Sequence, residues 1–281
     1  MKTRIIVDSS TDLNPKIRSK CTVVPLTVRF GGTEYIDGVT IDHRSFYEKL
    51  VESDELPTTS QASPDAFMQI YGQIAQAGEE AVVITLSSKL SGTYQSACIA
   101  AEEYEGRIFV VDGLNVAIGT GILAQLAVSM AEAGADAKAI AEALTREREN
   151  VRVIAMLDTL EYLKKGGRIS KTVAFAGELL SIKPVVAVQE GAVAMLGKAR
   201  GSKQANNLLV KEIEKAGGVD FSKPVLLGYT GMNDTLLQKY IQDSTALWSE
   251  LGTAPDYTCV GSIIGTHAGP GAVAAAFFCK Q

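Results

Sequence analysis

The sequence predicts an α/β fold of two domains: an N-terminal three-layer α/β/α domain around a parallel sheet, and a C-terminal domain with a mixed sheet. Apolar runs alternate with helical patterns over residues 1–157, an order that places helices on both faces of a parallel sheet. After residue 158, Glu190-Gly191 joins two strand-like segments as a hairpin signal. The length of 281 residues suits two domains of modest size. We therefore predict domains at 1–157 and 158–281.

In the first domain, short apolar runs predict the strands and capping residues predict the helices. The predicted strands are 4–8, 26–30, 81–86, 107–111 and 151–157. Ser63 as N-cap and Pro64 at the first helical position begin a helix that ends at Gly78. The other predicted helices are a short stretch near Pro15, one from about Gly92, one ending near Gly134 and one starting at Asp136. In a parallel sheet, ligands bind where carboxyl ends of strands meet helix N-termini.

In the second domain the pattern becomes mixed. The predicted elements are a short helix ending at 166–167, hairpin strands 183–189 and 193–198, helix 202–215, strand 225–229 and helix 234–251. The stretch 257–279 is the nearest approach to a membrane span, but several glycines interrupt it and its polar residues would be costly in lipid. We interpret it as a strand, a glycine-rich turn and a second strand.

Composition narrows the function classes. The net charge of −5 argues against broad binding to nucleic acids or anionic membranes. The four cysteines are scattered without a C-x-x-C pair, and there are only two histidines, so we predict no metal site and no redox pair. The apolar run after the first residues is too short for a signal peptide, and we expect a cytoplasmic location with reduced thiols.

Two segments resemble nucleotide-binding motifs but lack the spacing, residue types or position that those motifs need. The stretch from Gly191 to Lys198 resembles a P-loop, but its spacing is one residue too long and Ala199 stands where Ser or Thr should bind magnesium. The G-x-G-x-x-A match at 119–124 falls inside a predicted helix. His43 lies on a charged helix, and we predict that its side chain is solvated.

Three loops combine small hydroxyl residues with glycine, at 57–64, 87–94 and 265–271. Two of them precede predicted helices, where free N–H groups and short hydroxyls form anion sites. Arg168 and Arg200 stand beside glycines, and the planar guanidinium suits a carboxylate or a phosphate. Ordinary helix caps and solvated arginines give the same pattern, so the residues alone leave both interpretations open.

At these positions the sequence resembles the DegV family of bacterial fatty-acid-binding proteins. The matching segments, in the family's order, are 8–13 (DSSTDL), 57–61 (PTTSQ), 90–97 (LSGTYQSA), 162–169 (YLKKGGRI), 183–184 (KP), 197–200 (GKAR) and 265–271 (GTHAGPG). Each segment is weak alone, whereas the ordered combination is specific. Ala62 and Ala268 depart from the family's frequent proline and threonine, and neither departure removes a proposed ligand.

The resemblance implies a DegV-like fold that binds a long-chain fatty acid at or near the interface of the domains. It implies that the carboxylate is held by the residues matching Thr59, Ser60, Ser91, Gly92 and His267. By the same resemblance, the protein performs no catalysis itself and needs no cofactor. It would present the acid to a separate dihydroxyacetone-kinase-like fatty acid kinase, which makes an acyl phosphate with ATP, and would contact membranes only transiently.

The arginines have a different role in this picture. The resemblance places Arg168 and Arg200 at the pocket mouth or in contact with the kinase. Two alternatives stay open: a serine-dependent acyl hydrolase or transferase using Ser91 and His267, and a regulator that acts by protein contact alone. A monomer is favoured, and the length, saturation and branching of the acid are not fixed by the sequence.

Overall fold

The computed structural model describes residues 2–169 and 181–280. Its strands are β1 Thr3–Asp8, β2 Cys21–Val24, β3 Thr27–Phe30, β4 Thr33–Ile36, β5 Thr58–Ser60, β6 Glu80–Thr85, β7 Ile108–Asp112, β8 Val151–Met156, β9 Ile182–Gln189, β10 Ala192–Arg200, β11 Leu226–Tyr229, β12 Tyr257–Cys259 and β13 Val273–Phe278. Its α-helices are α1 His43–Glu52, α2 Pro64–Gln76, α3 Thr93–Ala101, α4 Ile118–Glu132, α5 Ala137–Glu147, α6 Glu161–Lys165, α7 Gly201–Lys215, α8 Thr235–Asp243, α9 Thr245–Trp248 and α10 Ser262–Ala268.

A parallel sheet of order β2-β1-β6-β7 forms the N-terminal core, as the sequence predicts. Strand β6 is buried along its whole length because helices cover both faces of the sheet. Side chains of β1 and β6 alternate between two cores, so that Val82 packs with α4 and α5, whereas Val83 packs with α2 and α3. The chain order reverses between β1 and β6, so the loops after these two strands lie at the topological switch point of the sheet.

The second sheet is mixed, with the order β10-β9-β8-β13-β11-β12. Strand β8 pairs antiparallel with both β9 and β13. Its assignment to the N-terminal parallel sheet is therefore wrong, because a buried central strand shows the same apolar run in either kind of sheet. The division at 157/158 stays a prediction, although the strand just before it belongs to the C-terminal sheet.

The predicted hairpin is confirmed. Strands β9 and β10 pair antiparallel, and Glu190 and Gly191 both adopt positive φ angles, of 48° and 79°. Two successive residues of positive φ define the turn whose twist suits a tight hairpin, and glycine adopts that conformation without strain.

A small antiparallel sheet of order β4-β3-β5 lies beside these two sheets. The predicted strand 26–30 appears here as β3 and is not part of the parallel sheet. The predicted loop 57–64 contains strand β5, which pairs with β3 and places Thr59 opposite Val28. Pairing with β3 thus fixes a segment that carries two candidate ligands.

The helices depart from the prediction at three places. The stretch near Pro15 forms only a short 3-10 turn at Arg18–Lys20, and the long helix at 234–251 is broken into α8, α9 and a 3-10 turn, Ser249–Leu251. Helix α10 separates β12 from β13 and includes residues 265–268 of the predicted glycine-rich turn. Across the described residues, none of the helices has the length and apolarity to cross a membrane.

Candidate functional site

A cavity of about 410 Å³ lies between the carboxyl end of β6 and one face of the mixed sheet. The strands of the mixed sheet supply an apolar floor that includes Val153, Ala155, Val186 and Ala274. Ala155 and Ala274 are directly opposite each other on adjacent strands. Their small side chains leave room above the sheet that larger residues would fill.

Polar groups gather at one end of this cavity. Six of the seven residues proposed from the sequence line it: Thr59, Ser60, Ser91, Gly92, Arg168 and His267. The structure therefore brings together loops that are more than 200 positions apart in the chain.

His267 lies in the last turn of α10 and contacts Thr59 on β5. The distance between Thr59 Oγ1 and His267 Nε2 is 3.0 Å. The other ring nitrogen, Nδ1, is buried and has no hydrogen-bond partner among the described residues. The backbone of Gly166 lies against Nδ1, where a Cβ atom would overlap the ring. The ring is thus held between a hydroxyl and a segment that only glycine can form.

Burial also sets the charge of this histidine. Burial, with a smaller contribution from the Arg168 guanidinium, lowers the pKa of His267 from 6.5 to about 4. The imidazole is therefore neutral at pH 7, so that one nitrogen donates a hydrogen bond and the other accepts one. A neutral imidazole can donate to a carboxylate without adding a buried charge.

Ser91 belongs to the loop between β6 and α3. Its Oγ lies 3.0 Å from Thr93 Oγ1 and accepts the N–H of Thr93, which turns the hydroxyl toward the start of α3. Gly92 precedes α3 as its N-cap residue, and a Cβ atom there would overlap the side chain of Gln61. The loop therefore combines a hydroxyl with the free N–H groups of a helix N-terminus.

Arg168 connects the two halves of the polar end. Its Nη1 donates to the carbonyl of Gly166 at 2.6 Å, and its Nε donates to the carbonyl of Leu90 at 3.3 Å. These bonds link the Ser91 loop to the segment that packs on His267. The guanidinium is half-buried and borders the cavity, where it supplies a positive charge near the polar end.

Arg200 lies elsewhere. It ends β10 as an exposed residue, directly before α7, and it is not one of the described residues that line the cavity. Arg200 therefore does not lie at the cavity wall, and its contact with a kinase stays a prediction.

Sequence reasoning missed a role for Gln61, although it lies in the hydroxyl-rich segment 57–64. Gln61 lines the cavity, and its Nε2 donates to Ser96 Oγ at 3.0 Å. The amide joins β5 to α3 and so ties together the segments that carry Thr59 and Ser91.

The prediction of a solvated His43 is wrong. The side chain is half-buried beside Gly261, and burial is the main cause that lowers its pKa. It lines a small polar cavity of about 110 Å³ together with Arg18, Asp12 and Asp37. Among the residues that the structure describes, no group of His, Cys, Asp or Glu is arranged to hold a metal ion.

A family model described as "Uncharacterised protein, DegV family" matches residues 2–280. The chain belongs to the DegV family. A DegV domain-containing protein of Caldanaerobacter subterraneus is 36% identical over 282 residues, which cover 99% of this chain and 98% of that protein. A second DegV domain-containing protein, from Deinococcus radiodurans, is 34% identical over 98% of both chains.

Solved DegV structures share the fold along the whole chain. A DegV family protein from Thermus thermophilus, described as fatty acid binding, superposes with a TM-score of 0.85 and 31% identity, over 99% of this chain and 100% of that one. A DegV lipid binding protein from Thermotoga maritima gives a TM-score of 0.86 and 27% identity over the full length of both chains. A stearic acid-binding protein from Eubacterium ventriosum gives 0.84 and 26% over 98% of both. DegV proteins thus bind fatty acids in solved structures.

Proposed function

We propose that this protein binds a long-chain fatty acid, with its carboxylate at the polar end of the cavity and its hydrocarbon chain along the mixed sheet. The observation that carries the proposal is the single cavity in which Thr59, Ser91 and His267 meet above an apolar floor. The fatty acids bound by similar DegV proteins support this class of ligand.

The energetics favour a long chain. Burying 14–16 methylenes at about 0.8 kcal/mol each contributes on the order of 12 kcal/mol. Lost translational and rotational freedom and the desolvation of polar groups offset several kcal/mol of this. A carboxylate is costly to bury unpaired, so the head group needs donors.

The donors at the polar end match a carboxylate. The hydroxyls of Thr59, Ser60 and Ser91, the backbone at Gly92 and the neutral ring of His267 supply O–H and N–H groups from three elements. Arg168 adds a positive charge near them, and hydrogen bonds to an ionised acceptor are stronger than neutral ones.

The contacts of Ser91 and His267 favour binding over hydrolysis. A serine nucleophile needs a base within hydrogen-bond reach of its hydroxyl. Ser91 Oγ instead pairs with Thr93, and the ring of His267 pairs with Thr59. Ser91 and His267 are therefore suited to bind one head group as two separate residues, and not to act as a nucleophile and its base.

We further propose that a separate ATP-dependent fatty acid kinase acts on the bound acid. A carboxylate oxygen would attack the γ-phosphorus of ATP, forming the C–O–P bond of an acyl phosphate as the bond to ADP breaks. Arg168 would steady the phosphoryl oxygens, and exposed Arg200 would contact the kinase. Such a kinase system would place the protein in the cytoplasm.

Binding is tested by native mass spectrometry and by titration with C14–C18 acids. We expect a bound mass in gently purified protein, and weaker binding by Ser91→Ala and His267→Ala with the fold retained. Ser88→Ala is the matched control, because Ser88 is an exposed serine of the same loop and does not line the cavity. An empty protein that also rejects added acids would contradict the proposal.

Presentation to a kinase needs its own assay. Acyl phosphate should form only when the lipid-loaded protein, the kinase and ATP are mixed, and Arg200→Ala should slow its formation while leaving lipid binding intact, because Arg200 is exposed and lies outside the cavity. Formation of acyl phosphate by kinase and free fatty acid alone would show that no carrier is needed.

A further inference from the structure

The segment 8–12 (DSSTD) begins with the last residue of β1, at the switch point of the parallel sheet. Its two carboxylates, Asp8 and Asp12, are buried, with exposed fractions of 0% and 6%. Neither residue lines the lipid cavity. Burying carboxylates is costly, so their hydrogen-bond partners show what they do.

Asp8 holds the start of the loop that carries Ser91. Its Oδ2 accepts the N–H of Leu86 at 2.7 Å, and its Oδ1 accepts the N–H of Ser10 at 2.9 Å together with the hydroxyl of Ser10. Leu86 is the first residue after β6 and lines the cavity. Both oxygens of Asp8 are therefore used as acceptors.

Asp12 holds the start of the helix that carries His267. Its Oδ1 accepts the N–H of Gly261 at 2.7 Å, and Gly261 is the N-cap residue of α10. Beside it, Asp37 accepts the hydroxyl of Ser262 at 2.6 Å. The remaining oxygen of Asp12, Oδ2, is buried without a hydrogen-bond partner among the described residues.

Helix α10 connects its N-cap residue, Gly261, to His267 in its last turn. It is only seven residues long, about 10 Å at 1.5 Å per residue. Gly265 in its centre packs so closely on α1 that a Cβ atom would lie 2.6 Å from the hydroxyl of Tyr47. Because this contact holds the middle of the helix against α1, we expect a shift at Gly261 to reorient the end of the helix that carries His267.

We propose that the segment 8–12 is a positioning element that aligns both halves of the head-group site from behind, Asp8 through the Ser91 loop and Asp12 through helix α10. The two residues act through others and touch no ligand themselves. The affinity readout of the test below rests on the proposed function, whereas its spectroscopic readout does not.

The hydrogen-bond pattern predicts opposite responses to the same conservative change. In Asp12→Asn, the amide oxygen still accepts from Gly261, and the new NH₂ group replaces an oxygen that has no donor. In Asp8→Asn, the NH₂ group must face either Leu86 or Ser10, both of which donate. Asparagine should therefore rescue position 12 and fail at position 8.

Burial supports this asymmetry. It raises the pKa of Asp12 well above 3.8 and that of Asp8 to about 6, and at Asp8 three hydrogen bonds from Ser10 and Leu86 lower the pKa against the burial effect. A neutral side chain at position 12 therefore resembles what the buried site already favours.

The experiment uses the ring resonances of histidine, because the chain has only two and the His267→Gln variant assigns them. Asp12→Ala should shift the His267 resonances and weaken fatty acid binding about tenfold, the loss expected for one hydrogen bond to a charged or buried group. Asp12→Asn should restore the resonances and bring affinity to within about twofold of wild type. Asp8→Asn should weaken binding about as much as Asp8→Ala.

Glu80→Ala is the matched control. Glu80 is also buried, at 6% exposure, and its Oε1 accepts the N–H of Ala137 at the first residue of α5, away from the cavity. It should lower thermal stability without moving the His267 resonances or the affinity. The proposal is overturned if Asp12→Ala behaves like Glu80→Ala, or if asparagine rescues both positions.

The outcomes remain separable from those of the proposed function. If wild-type protein binds no fatty acid, the proposed function fails, and the His267 resonances of Asp12→Ala and Asp12→Asn still decide on positioning. If Asp12→Ala does not fold, the comparison of Asp12→Asn with Asp8→Asn decides, because equal behaviour of the two variants contradicts the proposal.

Discussion

Replacing His267 by asparagine should remove a specific pH dependence of stability. In the folded protein, burial lowers the pKa of His267 from 6.5 to about 4. As the pH falls from 6.5 toward 4, the unfolded chain therefore takes up a proton that the folded protein does not, and stability is lost over this window. At about 1.4 kcal/mol per pKa unit, the loss amounts to about 3 kcal/mol at pH 4 and is absent above pH 7.

The assay is denaturant unfolding of both proteins between pH 4 and pH 8. The chain has a single tryptophan, Trp248, which is buried and reports unfolding by its fluorescence. Other groups, such as Asp8 with its pKa raised to about 6, act in both proteins and cancel in the difference.

We expect the stability of wild type relative to His267→Asn to be constant above pH 7 and to fall by about 3 kcal/mol by pH 4. Thr59→Val is the control, since it removes the hydroxyl partner of the ring but keeps the titrating group. It should lower stability at every pH and leave the slope unchanged. If the difference in unfolding free energy between wild type and His267→Asn does not change with pH, the ring is not buried as a neutral group.

Three further predictions concern the cavity floor and two local conformations. Ala155→Leu adds three carbons to the floor and should weaken binding of C18 acids by about 2 kcal/mol while sparing C10 acids, as titration of a chain-length series would show; an equal loss at every length would contradict it. Gly269→Ala should cost about 1–3 kcal/mol in denaturant unfolding, because Gly269 has a φ of 70° and a ψ of 174° and its Cβ would overlap Tyr162; unchanged stability would refute the strain. Ser63→Ala removes the cap that accepts the N–H of Ala66 and should cost about 1 kcal/mol in the same assay, whereas Ser63→Thr should not.

Local signals in the sequence predicted most elements but not the sheets they join. Ser63 and Pro64 begin α2, and Glu190-Gly191 makes the hairpin turn, because both depend on neighbours in the chain. The sequence does not distinguish the two sheets for strand β8, since its partners are chosen by packing between distant segments. The sequence does not predict helix α10, because Gly265, which allows close packing on α1, is a turn signal in isolation.

The candidate site was predictable only in part. The residues alone indicated three hydroxyl-rich loops, and the family resemblance was needed to connect Ser91 with His267. Arg168 lines the cavity as expected, whereas Arg200 lies outside it. The burial of His43 could not be predicted, because it depends on Gly261, more than two hundred positions away.

The place of β13 in the mixed sheet bears on how the protein is made. This strand lies between β8 and β11, although it follows both in the chain. During synthesis on the ribosome, the two flanking strands therefore lack the strand that pairs between them. Their unpaired edges are exposed to chaperones or to aggregation until β13 is synthesised. The cavity is thus completed only when β13 has been synthesised, and a nascent chain stalled before residue 273 has no closed cavity.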